Sequence, residues 1–123
     1  MALTGTLIAE SLRVGAVLDD LDLRVRKISR ADVGDVDAGQ PLTWTFVEFE
    51  AADDEAPRLM AALSESLDPN VGWYCDFRSA DETFVVFGGR AFRYPRAGRA
   101  GRAEAVAYGR SVGVPDAQLD WPD

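Results

Sequence analysis

The stretch WYCDFRSADETFVVFGGRAFRY, residues 73–94, holds seven of the twelve aromatic residues of this 123-residue chain. It reads as three short strands, at about 72–78, 83–87 and 90–94. The last two are joined by Gly88-Gly89, a pair suited to a two-residue hairpin because glycine reaches positive φ without steric cost. With that turn in register, Phe87 stands opposite Arg90, Val85 opposite Phe92, and Thr83 opposite Tyr94 on one face. Phe84, Val86 and Ala91 share the other face with Arg93. Both faces of this sheet are largely apolar, so both need cover. One face is expected to carry helices, and the other to meet the N-terminal strands or a partner.

Working outward, Asp53-Asp54-Glu55 opens a helix with carboxylates placed to cap free N–H groups and to favour the macrodipole. Ala56, Leu59, Met60, Leu63 and Leu67 then recur at helical spacing, and Asp68-Pro69-Asn70 ends the element. Upstream, residues 3–9 suggest a first strand. Leu21, Leu23 and Val25 alternate with charged residues as a half-buried strand over 21–29 does, with Ile28 out of phase and a bulge near Lys27 to accommodate it. A long strand over 42–50 has Leu42, Trp44 and Phe46 on one face and Val47 and Phe49 on the other, and pairs antiparallel with 21–29. A second helix runs over about 101–112. Gly113-Val114-Pro115 stops it, and the tail with Leu119 and Trp121 docks back.

The order β-β-β-α-β-β-β-α gives one α+β domain over residues 1–123: a mostly antiparallel twisted sheet of five to six strands with two helices packed on it. An alternative is a split arrangement, each helix serving its own group of strands.

Composition bounds the function. Hydrophobic residues at 47% and charged residues at 28% are those of a soluble globular protein. The first ten residues lack a basic n-region, so no signal peptide is expected. The lone Cys75 permits no internal disulfide and fits a reducing, cytoplasmic setting. A formal charge of −8 argues against nucleic acid and against an anionic membrane as partner. The charge is uneven: residues 88–113 carry six arginines against Glu104, +5 on a chain whose remainder is −13. Twelve of the thirteen basic residues are arginine, a usage that coding bias explains without phosphate recognition.

Several residue groups bear chemistry. Arg93, Arg96, Gly98, Arg99, Gly101 and Arg102 precede or open the second helix, where arginines and open backbone could clamp phosphate or carboxylate. No phosphate-loop signature accompanies them. Gly98-Arg99-Ala100-Gly101 fits the loop of KH domains, but that loop joins two helices and here a strand precedes it. Asp32, Asp35 and Asp37 with Gly39 match part of a calcium loop, yet Phe46 stands where its last glutamate belongs. Cys75 has no base nearby, because the chain contains no histidine. That absence removes Ser–His and Cys–His nucleophiles and the commonest zinc ligand, leaving carboxylates such as Glu48, Glu50, Asp76 and Glu82 for any catalysis. An enzyme is therefore disfavoured, and no cofactor is expected. Trp73, Phe87, Arg90, Phe92 and Tyr94 are of the residue types that interfaces favour.

The C-terminal half also carries Gly72-Trp73-Tyr74-Cys75-Asp76-Phe77, Phe84-Val85-Val86-Phe87, Tyr108-Gly109-Arg110-Ser111-Val112-Gly113-Val114-Pro115 and Gln118-Leu119-Asp120-Trp121. In these it resembles a group of small bacterial proteins of uncharacterised function. The resemblance implies a bacterial stand-alone domain and carries over no reaction or ligand. The leading expectation is a non-enzymatic interaction protein whose partner is another protein or a second copy in a homodimer. Charge alone suggests a basic partner, by analogy with inhibitors of nucleic-acid-cutting toxins. The alternative is a small-anion or nucleotide binder using residues 93–102.

Overall fold

A computed structural model describes residues 2–34 and 39–122. These form one antiparallel six-stranded sheet and two α-helices: β1 (Ala2–Ile8), β2 (Arg24–Asp32), β3 (Thr43–Ala52), α1 (Ala56–Ser66), β4 (Tyr74–Arg78), β5 (Glu82–Phe87), β6 (Arg90–Pro95) and α2 (Arg99–Ser111). The order across the sheet is β2-β3-β1-β4-β5-β6. The α+β class and the element order are those expected. The N-terminal strand lies mid-sheet, paired antiparallel to β3 on one side and β4 on the other. It thus joins the β2–β3 hairpin to the β4–β6 meander in a single plane.

The β5–β6 hairpin has the expected register, with Phe87 opposite Arg90, Val85 opposite Phe92 and Thr83 opposite Tyr94. Its two glycines serve different ends. Gly89 takes φ +86°, whereas Gly88 is needed because a Cβ there would lie 2.6 Å from the Leu67 carbonyl oxygen. Strand β2 begins later than alternation suggests, at Arg24, and its register shifts between Val25 and Lys27 so that Arg26 forms the bulge. Val25 and Ile28 are exposed, because β2 is an edge strand and α1 does not extend over it. The acidic residues Asp53–Glu55 form a 3-10 turn ahead of α1, and no side chain caps the helix.

The helices divide the two faces between them. On one, Leu3, Leu7, Phe49, Cys75, Phe77, Phe84 and Val86 pack against Leu59 and Leu63 of α1. Phe77 and Phe84 stack there at 4.7 Å with planes 7° apart. On the other face Val85, Phe87, Phe92 and Tyr94 meet Ala105 of α2, together with Val114 and Trp121 beyond it. The N-terminal strands therefore widen the sheet rather than cover a face. The physical reason is that β5, buried from Thr83 to Phe87, needs packing on both sides, and each side has its own helix.

Helix α2 ends as its sequence implies. Gly113 takes φ +91°, Val114 donates its N–H to the Gly109 carbonyl at 2.9 Å, and Val114 is buried. The tail returns to the sheet, where the Trp121 indole N–H donates to the Tyr94 hydroxyl at 2.7 Å. Among the described residues, no helix is long and apolar enough to cross a membrane.

Candidate functional site

Alternation sends Tyr74, Asp76 and Arg78 of β4 to the α2 side of the sheet, along with Thr4, Thr6 and Ile8 of β1 and Phe46, Glu48 and Glu50 of β3. The α2 helix and the tail cover only the β4–β6 part of this side. Over β1 and β3 it stays open. Where the open part meets the tail, a cleft of about 310 Å³ forms. Its floor is Thr6, Ile8, Trp44, Phe46 and Asp76, and its walls are Gly72–Tyr74 and the tail residues Ala117, Gln118 and Asp120.

The cleft is rigidly framed. Trp44 meets Trp73 edge-on with ring centres 5.2 Å apart, and its indole N–H donates to the Pro41 carbonyl at 2.8 Å. Tyr74 packs edge-on against Trp121 at 5.2 Å, and its hydroxyl donates to the Gln118 carbonyl. The buried Gln40 joins the tail to the opposite wall. It donates to the Val71 carbonyl at 3.0 Å and accepts from the Gln118 amide at 3.0 Å. These bonds hold residues 117–120 over β4 instead of leaving them loose.

The electrostatics are uneven along the floor. Burial pushes the Asp76 carboxyl up from its usual range; the Arg78 guanidinium beside it pulls it down, Asp120 pushes it up again, and the balance is upward. Asp76 and Arg78 form a close ion pair with both side chains about one-fifth exposed. Burial, aided by Asp76 and Asp120, also raises the Tyr74 hydroxyl. Asp120 is exposed on the tail and has no ion pair among the described residues. Beside the cleft, sharing Thr6, a second hollow of about 370 Å³ runs over Thr4, Arg26, Glu48, Glu50 and Arg78. Its charges are largely matched: Arg26 reaches Glu50 at 2.9 Å, and Lys27 lies 3.9 Å from Glu48.

The residues singled out from sequence fall elsewhere. Trp73, Phe87, Phe92 and Tyr94 are 5%, 2%, 9% and 4% exposed. The rings of Phe87, Phe92 and Tyr94 fill the core under α2 and the tail, and Trp73 is buried against Trp44. Of that group only Arg90 therefore reaches the surface, lying over the Phe92 ring at 4.8 Å. Trp73 alone of those rings also lines the cleft. The arginine–glycine residues do not converge. Arg93 lies on the α1 face, over Phe84 at 5.2 Å, and is held by Glu82 through two bonds of 2.7 Å. Arg102 lies on the opposite face, over Trp121 at 5.0 Å. Arg96 bonds the Ser79 carbonyl at 3.3 Å, and Arg99 begins α2. Gly98 precedes the helix with its N–H on the Pro95 carbonyl at 2.9 Å, and Gly101 is pressed against Tyr94.

Of the acidic loop, Asp35 and Asp37 lie outside the described residues. Asp32 accepts from the Gly34 N–H at 2.9 Å, and Gly39 takes φ +96°. Among the described residues no three His, Cys, Asp or Glu side chains gather as a metal would need. Cys75 is buried, with its thiol raised first by burial and then by Asp76. Glu48 and Glu50 face the second hollow, each near a basic side chain of β2, and Glu82 holds Arg93.

Of the cleft residues, only Trp73 and Asp76 stand out from sequence as site candidates; Trp44, Phe46, Thr6, Ile8, Gln118 and Asp120 do not. A partial signal existed, because Trp44 and Phe46 share one face of β3 with Glu48 and Glu50, an aromatic end joined to a charged end. Comparison of the chain with protein-family models, characterised proteins and solved structures returns no significant match.

Proposed function

We propose that this protein is a non-enzymatic interaction module that receives a protein partner on the open part of the sheet beside α2. One observation carries this reading: that half-face holds a preformed aromatic cleft which the 72–74 segment and the tail frame but do not fill. An open sheet surface bearing Trp44, Phe46 and Ile8 next to a row of charges has the make-up of an interface, apolar at its centre and polar at its rim. Both sheet edges are guarded by charge, Arg24, Arg26, Lys27 and Arg30 along β2 and Arg90 and Arg93 along β6. Such edges oppose strand addition, which favours the face over the edge as the contact.

The carboxylates support binding more than acid–base work. Asp76 is engaged by Arg78, and Glu48 and Glu50 lie near basic side chains of β2 rather than being paired with each other. The anion-binding alternative draws less support, since Arg93 and Arg102 stand on opposite faces of the sheet.

Site-specific photocrosslinking tests the reading. A benzophenone amino acid replaces Phe46 on the open face or, as a control, Ala107 on the exposed side of α2. In the native cells the Phe46 probe should give a discrete adduct of higher mass, and the control should not. If the partner is a second copy, the purified chain alone gives a dimer adduct. No adduct at Phe46 in either setting defeats the proposal.

A further inference from the structure

We infer that the cleft is the receptor for a single basic side chain, arginine or lysine, carried by the protein that docks on the open face; this rests on the interaction reading above. At about 310 Å³ the cleft lies at the bottom of the roughly 300–1,000 Å³ range of small-molecule sites, room for one long side chain rather than a large cofactor. Its walls suit an alkyl stem ending in a cation. Ile8, Phe46 and the Trp44–Trp73 pair offer apolar and π surface, and a guanidinium or ammonium is attracted to ring faces, most strongly to indole.

Elsewhere in the molecule this pairing is already made from within: arginines of the chain lie over Phe84, Phe92, Tyr108 and Trp121. Among the described residues, no arginine or lysine covers Trp44 or Trp73.

Charge selects the sign of the occupant. Among the described residues, the carboxylates Asp76 and Asp120 line the cleft and no arginine or lysine does. Arg78 stands just outside and is engaged with Asp76, while the exposed Asp120 lines the tail wall and has no ion pair among the described residues. A cation entering between Trp44 and the tail would have Asp120 on the tail wall and Asp76 on the floor beside it. An anion would be repelled by Asp120, while the Asp76 charge is already offset by Arg78. The net charge of −8 favours the approach of a basic partner in the same sense. Because Trp44 and the tail are already fixed by hydrogen bonds, the cleft needs no rearrangement to receive the side chain.

The test titrates the purified chain with the N-acetyl methylamides of arginine, lysine, norleucine and glutamate, read by the indole N–H signals in two-dimensional NMR. Arginine or lysine should shift the Trp44 and Trp73 signals saturably in the millimolar range. Trp121, buried and bonded to Tyr94, should stay nearly still. Asp120→Asn, an exposed substitution on the tail, should weaken the cation several-fold with unfolding unchanged, and Trp44→Leu should weaken it further. A response to norleucine equal to that of arginine, no saturable response to either cation, or full affinity in Asp120→Asn each overturns the inference. These failures separate from failure of the broader reading. An adduct at Phe46 with no cation binding leaves the interaction module standing and removes only its receptor for a basic side chain.

Discussion

Replacing Gly101 by alanine should destabilise the protein by about 2 kcal/mol, although alanine is the better helix former. A Cβ built at Gly101 falls inside the van der Waals envelope of Tyr94 Cβ and 2.6 Å from Tyr94 Cγ. Ordinary carbon contacts lie at about 3.5–4.0 Å, so the atoms must separate by roughly 1 Å or more. No rotamer change relieves this. The obstructing atoms sit at the root of the Tyr94 side chain, whose hydroxyl is held by Trp121 and whose backbone is paired to Thr83. Helix α2 must move instead, lifting Ala105 and Gly109 from the core. We take the overpacking cost near the upper end of its usual range, about 3 kcal/mol, less about 1 kcal/mol of helix propensity gained. The net loss of about 2 kcal/mol corresponds to a fall in Tm of roughly 8 °C for a domain of this size. Urea unfolding followed by tryptophan emission measures it, with the slope unchanged. Ala107→Gly, at an exposed position of the same helix, calibrates the propensity and should lose about 1 kcal/mol. If Gly101→Ala is as stable as the parent, or more so, helix α2 does not press on Tyr94 and the glycine has another purpose, such as backbone access for a ligand.

Three further outcomes follow from the charges and the thiol. Burial holds the Asp76 carboxyl above its unfolded value despite Arg78, so its ionisation costs the folded state stability as pH rises from about 4. The stability of Asp76→Asn relative to the parent should therefore improve between about pH 3 and pH 7; a trend in the opposite direction means that the Arg78 pair outweighs burial. For Glu10, burial raises the carboxyl but is outweighed by bonds from the Thr45 N–H at 2.6 Å and hydroxyl at 2.8 Å, and the balance is downward. Its stabilisation is present above about pH 4.3 and lost as pH falls through the lower folded value, so Glu10→Gln should cost about 1 kcal/mol at neutral pH and progressively less in acid. A pH-independent difference in urea unfolding refutes it. Cys75, 1% exposed with its thiol raised by burial and by Asp76, should react with Ellman's reagent only as fast as the chain opens. A native-state rate equal to that of the urea-unfolded chain contradicts the burial.

The sequence by itself determined the local elements, because their signals are local. The glycine pair placed the 83–94 hairpin in register, the Leu59–Leu63 spacing gave α1, and Gly113-Val114-Pro115 ended α2. The two apolar faces of β5 likewise demanded cover on both sides, a requirement that period-two alternation makes visible at once. Tertiary structure alone decided what supplied that cover. Putting β1 between β3 and β4 depends on pairings between strands distant in sequence, for which no residue pattern gives the partner. The two helices, one on each face, spend the aromatic stretch on the core and leave Arg93 and Arg102 on opposite sides of the sheet. The placement of β1 leaves Trp44 and Phe46 beside a tail more than seventy residues away. A cleft made by residues so far apart is a property of the packed chain, since each contributes a wall only once the others hold it in place.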